Sequence, residues 1–336
     1  MGINGMVMTR DLFNLFIFVE ITAVAGFVLV GMQRSPTALS AGFKYVIAGT
    51  LASGFLLLGT MLLYYQTGTL NIDDLVLHRA TIVGPLGTAA LMLVLGAILI
   101  ELNPFPANGW GLDVYQASPA GIAALVSVGV SAAYLFALYK ILPLLPSFLP
   151  VIAASGLLTF VASNFIGLRQ SAARRLLGYS SVGQMGLVIT ALARLTLHSL
   201  TECIPLVVGG LFINHFLAKA GLFWLAGIVN SEKLADWSIL RSKPLLLVAF
   251  LFLITALAGL PPFPTFWAKW LLVMSLVEHQ QHSWVAFILL GSLLEVVYLF
   301  RWFGEAVNGS SEETVEKATD ISRVGWGQWL PVVSFV

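Results

Sequence analysis

Ionisable side chains recur inside long apolar runs of this chain. Glu20 lies in Phe16-Ile17-Phe18-Val19-Glu20-Ile21, near the middle of one run, while Lys44 opens the next and Glu101 closes a third. His215 and Lys219 stand four residues apart inside another run, so a helix would place them on one face. Lys269 follows Leu260-Pro261-Pro262-Phe263-Pro264 by about two helical turns. Glu295 is central to a further run, and Arg174 stands just before one. Such groups cost several kcal/mol in a bilayer and usually serve function. Burial in general raises the pKa of a carboxylate and lowers that of a lysine, so alternating acids and bases can hand protons along. The candidate proton pathway is therefore Glu20, Glu101, His215, Lys219 and Lys269, with Lys44, Arg174 and Glu295 as secondary members. The same residues could instead be paired groups that glue helices together. Lys140, near the end of its run, could snorkel to the interface.

The composition sets the solvent. Hydrophobic residues make up 58% of the 336 and charged residues 10%, against about 45–50% and about 25% in soluble domains. A chain this apolar belongs in lipid. Its net charge of +1 gives no footing for nucleic-acid binding. One cysteine, Cys203, excludes an internal disulfide and any multi-cysteine zinc or iron–sulfur site. No phosphate-binding glycine loop is found. His198, His279 and His282 lie at the ends of apolar runs, which disfavours a bis-histidine haem. No catalytic residue, metal site or cofactor is expected in this chain. Residues 1–11 hold Arg10 and Asp11 and lead into apolar sequence without a cleavage site, so the first span reads as permanent.

A span needs about 20 mostly apolar residues. Nine runs qualify, near 12–32, 43–65, 82–103, 118–143, 149–168, 176–194, 203–228, 245–276 and 284–304. A polar connector over 305–325 and an apolar start over 327–336 follow; the latter is too short to cross alone, so the chain reads as cut there. The loops are short, which predicts one transmembrane domain over 1–336. Arg34, Arg169, Arg174, Arg175, Lys233, Arg241, Lys243 and Arg301 fall on one side, assigned to the cytoplasm or matrix, and Arg10, Arg79, Lys140 and Arg194 fall on the other with Asp73 and Asp74. Two spans carry breaks, at Asn103-Pro104-Phe105-Pro106 and at Gly259-Leu260-Pro261-Pro262. Proline removes a donor and clashes with the preceding turn, so the helix opens. Two such breaks about five spans apart suggest inverted repeats over about 1–145 and 146–305, each with one broken helix. The fold class expected is an all-α polytopic membrane bundle.

Short motifs then appear in a particular order. They are Phe43-Lys44-Tyr45, Thr67-Gly68-Thr69-Leu70-Asn71, Asp113-Val114-Tyr115-Gln116-Ala117-Ser118-Pro119-Ala120, Arg174-Arg175-Leu176-Leu177-Gly178-Tyr179-Ser180-Ser181, Lys219-Ala220-Gly221-Leu222-Phe223, Leu234-Ala235-Asp236 and Leu257-Ala258-Gly259-Leu260-Pro261-Pro262. In these the chain resembles the antiporter-like membrane subunits of respiratory complex I, above all the N-type subunit, with relatives in Mrp antiporters and membrane-bound hydrogenases. The resemblance implies about fourteen helices, of which this chain lacks the first few and the end, and a proton channel along a polar axis. It implies that Glu20 is the glutamate of the first repeat, Lys269 the lysine of the second broken helix, and Lys219 a lysine on the helix before it. Where the family places lysines in the first repeat, the register here gives Glu101 and Ser131.

The function expected is therefore a proton-translocating subunit of a redox-driven complex, complex I-like or hydrogenase-like. Other membrane subunits, the lipid bilayer and protons, or sodium, would be its partners, and the bacterial inner membrane its location. If the parent complex is an oxidoreductase, this chain shares that label without holding the redox site. The alternatives are a non-conducting structural or assembly subunit, motivated by Glu101 and Ser131, and an independent cation/proton antiporter.

Overall fold

Inside a bilayer no water meets the backbone, so each segment has to satisfy its own amides and carbonyls, and the helix does this within one chain segment. The structure, a computed structural model, describes residues 1–308 and Val332. The expected connector beyond residue 308 and the expected apolar start at 327–336, Val332 apart, lie outside the described residues. The α-helices are α1 (Gly2–Met8), α2 (Leu12–Gly31), α3 (Pro36–Thr67), α4 (Ile72–Leu77), α5 (Gly84–Glu101), α6 (Gly109–Ala117), α7 (Ala120–Leu125), α8 (Ser131–Ile141), α9 (Leu149–Gly167), α10 (Ala173–Leu197), α11 (Ile204–Val229), α12 (Pro244–Ala258), α13 (Pro264–Glu278) and α14 (His282–Asn308). Eight helical segments among the described residues are long and apolar enough to cross a membrane. The chain is an integral membrane protein whose regular structure is all helical among the described residues.

The helix ends follow from local chemistry. Asp11 caps α2 by accepting from the Asn14 amide at 2.8 Å, and Ser35 caps α3 by accepting from the Ala38 amide at 3.1 Å, with Pro36 at the first helical position. Gly68 ends α3 in the left-handed region, at φ 72°. The cap at Ser35 starts α3 well before the expected residue 43. Its 32 residues span about 48 Å at about 1.5 Å each, more than the roughly 30 Å of hydrocarbon. The expected span 245–276 is two shorter helices, α12 and α13, because Gly259 takes φ 74° and Pro261 and Pro262 follow. Residues 2–8 form α1, which the sequence reading left without structure.

The loop charges sort to two ends of the bundle. At one end Arg10 pairs with Asp73, Asp11 pairs its backbone with Asn71, and Arg79 donates to the Pro143 carbonyl at 3.2 Å. At the other, Lys44 and Arg175 pair with Asp113, Ala172 bridges to Lys233, and Arg301 donates to the Leu168 and Gln170 carbonyls. Lys140 does not snorkel. Its amine is buried and donates to the carbonyls of Met6 at 2.8 Å and Thr9 at 2.7 Å, so it closes the C-terminal end of α1.

At the centre stands α10, whose apolar window is wholly buried by its neighbours. It carries Ser180, Ser181, Gln184 and Thr190, all buried. Lipid-facing helices have to be apolar; an interior one can be polar if its partners are polar too. Packing against α9 is close because Gly156 and Gly186 meet: a Cβ on Gly156 would lie 2.7 Å from the Gly186 carbonyl oxygen, and one on Gly186 2.6 Å from the Gly156 carbonyl oxygen. Gly156→Val should therefore lower stability in detergent by about 1–3 kcal/mol, read as a fall in thermal midpoint. Gly54→Ala, where the added carbon meets nothing within 4 Å inside α3, should not lower the midpoint and should raise it slightly.

Candidate functional site

Breaking a helix inside the membrane frees backbone groups, and both breaks re-satisfy them. After α5 the Phe105 amide donates to Thr159 Oγ1 at 3.0 Å. After α12 the Ala256 carbonyl accepts from the Gly259 amide at 3.1 Å and from Asn214 Nδ2 at 2.7 Å, and the Leu260 amide donates back to the Thr255 carbonyl at 3.2 Å. The second break lets α13 start at Pro264 and bring Lys269 into the bundle.

Lys269 there meets Glu295 on α14, with Nζ 3.4 Å from Oε2. Ser180 Oγ donates to Oε1 at 3.0 Å and Gln184 Nε2 to Oε2 at 2.5 Å. Ser180 and Gln184 are one turn apart on α10, so one helix face supplies both donors. Glu295 is 0% exposed and Lys269 9%. This is a buried ion pair whose carboxylate has donors on both oxygens. One turn along α14, Tyr298 donates to Asn164 Oδ1 at 2.8 Å.

Lys219 and His215 share one face of α11, as their spacing predicts, and both are buried. The Lys219 amine donates to the Leu177 carbonyl of α10 at 2.8 Å and lies within electrostatic reach of the Glu295 carboxylate, with His215 one turn away on the same face. His215 Nε2 lies 3.5 Å from Ser181 Oγ, which is 2.6 Å from Ser127 Oγ. Ser127 sits in Val126–Val130, a π-helical turn between α7 and α8. His215 Nδ1, Gln184 Oε1, Asn164 Nδ2 and Ser163 Oγ are buried without a hydrogen-bond partner among the described residues. Orphan polar atoms of this kind are where buried water sits.

In the first half Glu101 ends α5, 3% exposed, and among the described residues neither carboxylate oxygen has a partner at hydrogen-bond geometry. Its surroundings are the buried Tyr45 and Tyr134, the latter with its hydroxyl toward the carboxylate, and the bare backbone of Gly49. Tyr115 on α6 points toward Ser131 and Ser181. Ser131, in the register where the resemblance places a lysine, turns its hydroxyl to the Val126 carbonyl at 3.3 Å.

The predicted residues thus fall into three settings. Lys219, His215, Lys269 and Glu295 come together around α10. Glu101 lies on the other side of the Tyr115–Ser181 region. Glu20 is half-buried on α2 in an outward groove with Ile21, Val24 and Val28, with no hydrogen bond or ion pair to a described residue, although its charge reaches Glu101. Lys44 and Arg174 are at the end of the bundle, in a polar cleft apart from the buried groups. The sequence reading missed Ser127, Ser180, Ser181, Gln184, Tyr115 and Tyr134. Ser180-Ser181 and Gln184 on one stripe of an otherwise apolar run were the available signal.

Residues 9–295 match the protein family described as NADH:quinone oxidoreductase/Mrp antiporter, TM. The chain is 35% identical over 318 residues to a protein of Desulforudis audaxviator named NADH-quinone oxidoreductase subunit N, covering 89% of this chain and 61% of that protein. It superposes on a chain of the Mrp complex from Dietzia sp. with a TM-score of 0.82 at 28% identity, over 92% of this chain and 58% of that one. The corresponding values against a chain of respiratory complex I from Thermus thermophilus with bound aureothin are 0.79, 25%, 99% and 76%. The chain spans less than two thirds of the length of the Desulforudis relative.

Removing one partner of a buried pair strands the other. Lys269→Met and Glu295→Gln should each cost about 3–5 kcal/mol, and the Lys269→Met/Glu295→Gln double variant less than the sum of the two, measured as a double-mutant cycle by denaturation in detergent.

Proposed function

The chain belongs to the NADH:quinone oxidoreductase/Mrp antiporter transmembrane family, and on that footing we propose that it is a proton-translocating, antiporter-like subunit of a redox-driven membrane complex in a bacterial inner membrane. The observation that carries this reading is the run of buried polar groups around α10. Lys269, Glu295 and Lys219 lie on one side of the Ser181–His215 contact, and Tyr115, Tyr134 and Glu101 on the other. Carboxylate, amine, imidazole and hydroxyl groups all accept and release protons, and hydroxyls do so by rotation. The chain's part is to hold and pass protons at these atoms, while electron transfer belongs to other subunits. Glu20 is the proposed link toward the outer face of α2, and the two halves, about 1–145 and 146–305, the proposed inverted repeats.

A non-conducting scaffold has one observation in its favour: Glu101 lacks any basic partner among the described residues. Proton uptake by sealed vesicles bearing the assembled complex separates the two. Glu295→Gln, Lys269→Met and Glu101→Gln should each slow redox-driven uptake by roughly tenfold or more, the effect of about 1.4 kcal/mol on a barrier, with the complex still assembled. Wild-type rates in all three would leave only the scaffold. Uptake that needs sodium and no electron donor would instead identify an independent cation/proton antiporter.

A further inference from the structure

The end of the bundle that holds Lys44, Arg174 and Arg175 has a cleft the proposed relay does not use. Its volume is about 490 Å³, far more than the roughly 30 Å³ a water takes up in the liquid. The first turns of α3 supply Ser40 and Lys44, α6 supplies Asp113 and Gln116, the start of α10 supplies Arg174, and Glu232 stands at the rim after α11.

The donors and acceptors here are unequally used. Asp113 is fully engaged: Oδ2 accepts from Lys44 Nζ at 2.5 Å and Oδ1 from Arg175 Nη1 at 3.1 Å. Arg175 also donates to Gln116 Oε1 at 2.9 Å, which leaves the Gln116 amide nitrogen for the cleft. Lys44 has three N–H donors and uses one. Arg174 has five, gives one to the Ser118 carbonyl at 3.2 Å, and makes no ion pair among the described residues. Lys44, Arg174 and Arg175 against Asp113 and Glu232 leave one net positive charge, with spare N–H groups from Lys44, Arg174 and Gln116.

Three features point to the ligand. The spare groups are donors, and arginine beside lysine is the chemistry that holds phosphate. α3 is longer than the hydrocarbon is thick, so its capped start reaches toward the headgroup layer. The basic loops gather at this end, which by the positive-inside rule faces the leaflet rich in anionic lipid, where basic pockets between helices take headgroups. We propose that this cleft binds a phosphate group, carried by an anionic phospholipid headgroup or present as free phosphate, with Arg174 as its principal contact and Glu232 opposing it.

The test uses the full-length chain in detergent, titrated with phosphatidylglycerol, with phosphatidylcholine as the neutral control, and separately with inorganic phosphate. Bound lipid is read by native mass spectrometry and phosphate by calorimetry. Arg174→Gln should weaken phosphatidylglycerol binding about tenfold or more, as expected for a lost charge-assisted contact. Glu232→Gln should strengthen it, which a folding defect would not do. Binding of inorganic phosphate alone, with the same response to both variants, would keep the site and assign it to the free anion. Equal retention of phosphatidylglycerol and phosphatidylcholine without phosphate binding, or anion affinities unmoved by either substitution, would overturn the proposal.

Discussion

A carboxylate taken out of water has to be met by donors, and Glu295 is where this bundle meets that demand most completely. The desolvation cost is several kcal/mol per ion, and a buried pair offsets it only with good geometry and further hydrogen bonds. Lys269, Ser180 and Gln184 supply these, and each needs a particular feature of the fold. Lys269 reaches the carboxylate because α12 stops at Ala258 and α13 starts afresh at Pro264. Ser180 and Gln184 reach it because α10 runs through the centre rather than along the lipid face. The central place of α10 in turn rests on its close approach to α9 at Gly156 and Gly186 and on a shell of apolar helices outside. The buried charge is held only because the interrupted helix, the polar central helix and the apolar exterior occur together.

The two halves answer the same architectural problem with different chemistry. Each has a helix opened by proline, and in each a side-chain group bonds the backbone at the break, Thr159 to Phe105 and Asn214 to Ala256. In the second half the ionisable group near the break has an opposite charge at hand. In the first half Glu101 meets tyrosines and bare backbone, and neither of its oxygens has a donor at hydrogen-bond geometry among the described residues. Similar backbone interruptions therefore do not dictate similar electrostatics; side chains arriving from neighbouring helices do.

Much of this could be read in the sequence because membranes simplify the rules. Apolar run length matched eight of the nine expected runs to crossing-length helical segments among the described residues, the run 245–276 being α12 and α13, and prolines within runs marked both breaks, since neither feature depends on tertiary context. The i, i+4 spacing of His215 and Lys219 placed them on one face, as found. Other features were illegible because they depend on partners distant in sequence. Lys140 near a span end is equally compatible with reaching for water; only the docked α1, more than 100 positions earlier, turns it inward. α1 is short, and its helix is fixed by packing against α2 and α8 rather than by its own length. Glu20 lies mid-run, and the run alone does not say which face it takes. The serines of α10 were visible as residues but not as a site, because a hydroxyl in a membrane helix can bond its own preceding turn.

The centre of the molecule is where the proposed transfer would be most constrained. Between Glu101 and the Lys219–Glu295 group stand Ser127, Ser181 and His215, and the 2.6 Å contact between the two serine oxygens can be donated from either side. A fixed charge at that point would need its own counter-ion in a dry interior. A hydroxyl needs none, because it turns to donate or accept according to its neighbours. A junction of this kind is neutral in both orientations and imposes no direction of its own. Direction would then be set by the ionisable groups at either end, and chiefly by whether the Glu295 carboxylate keeps or releases its hold on Lys269.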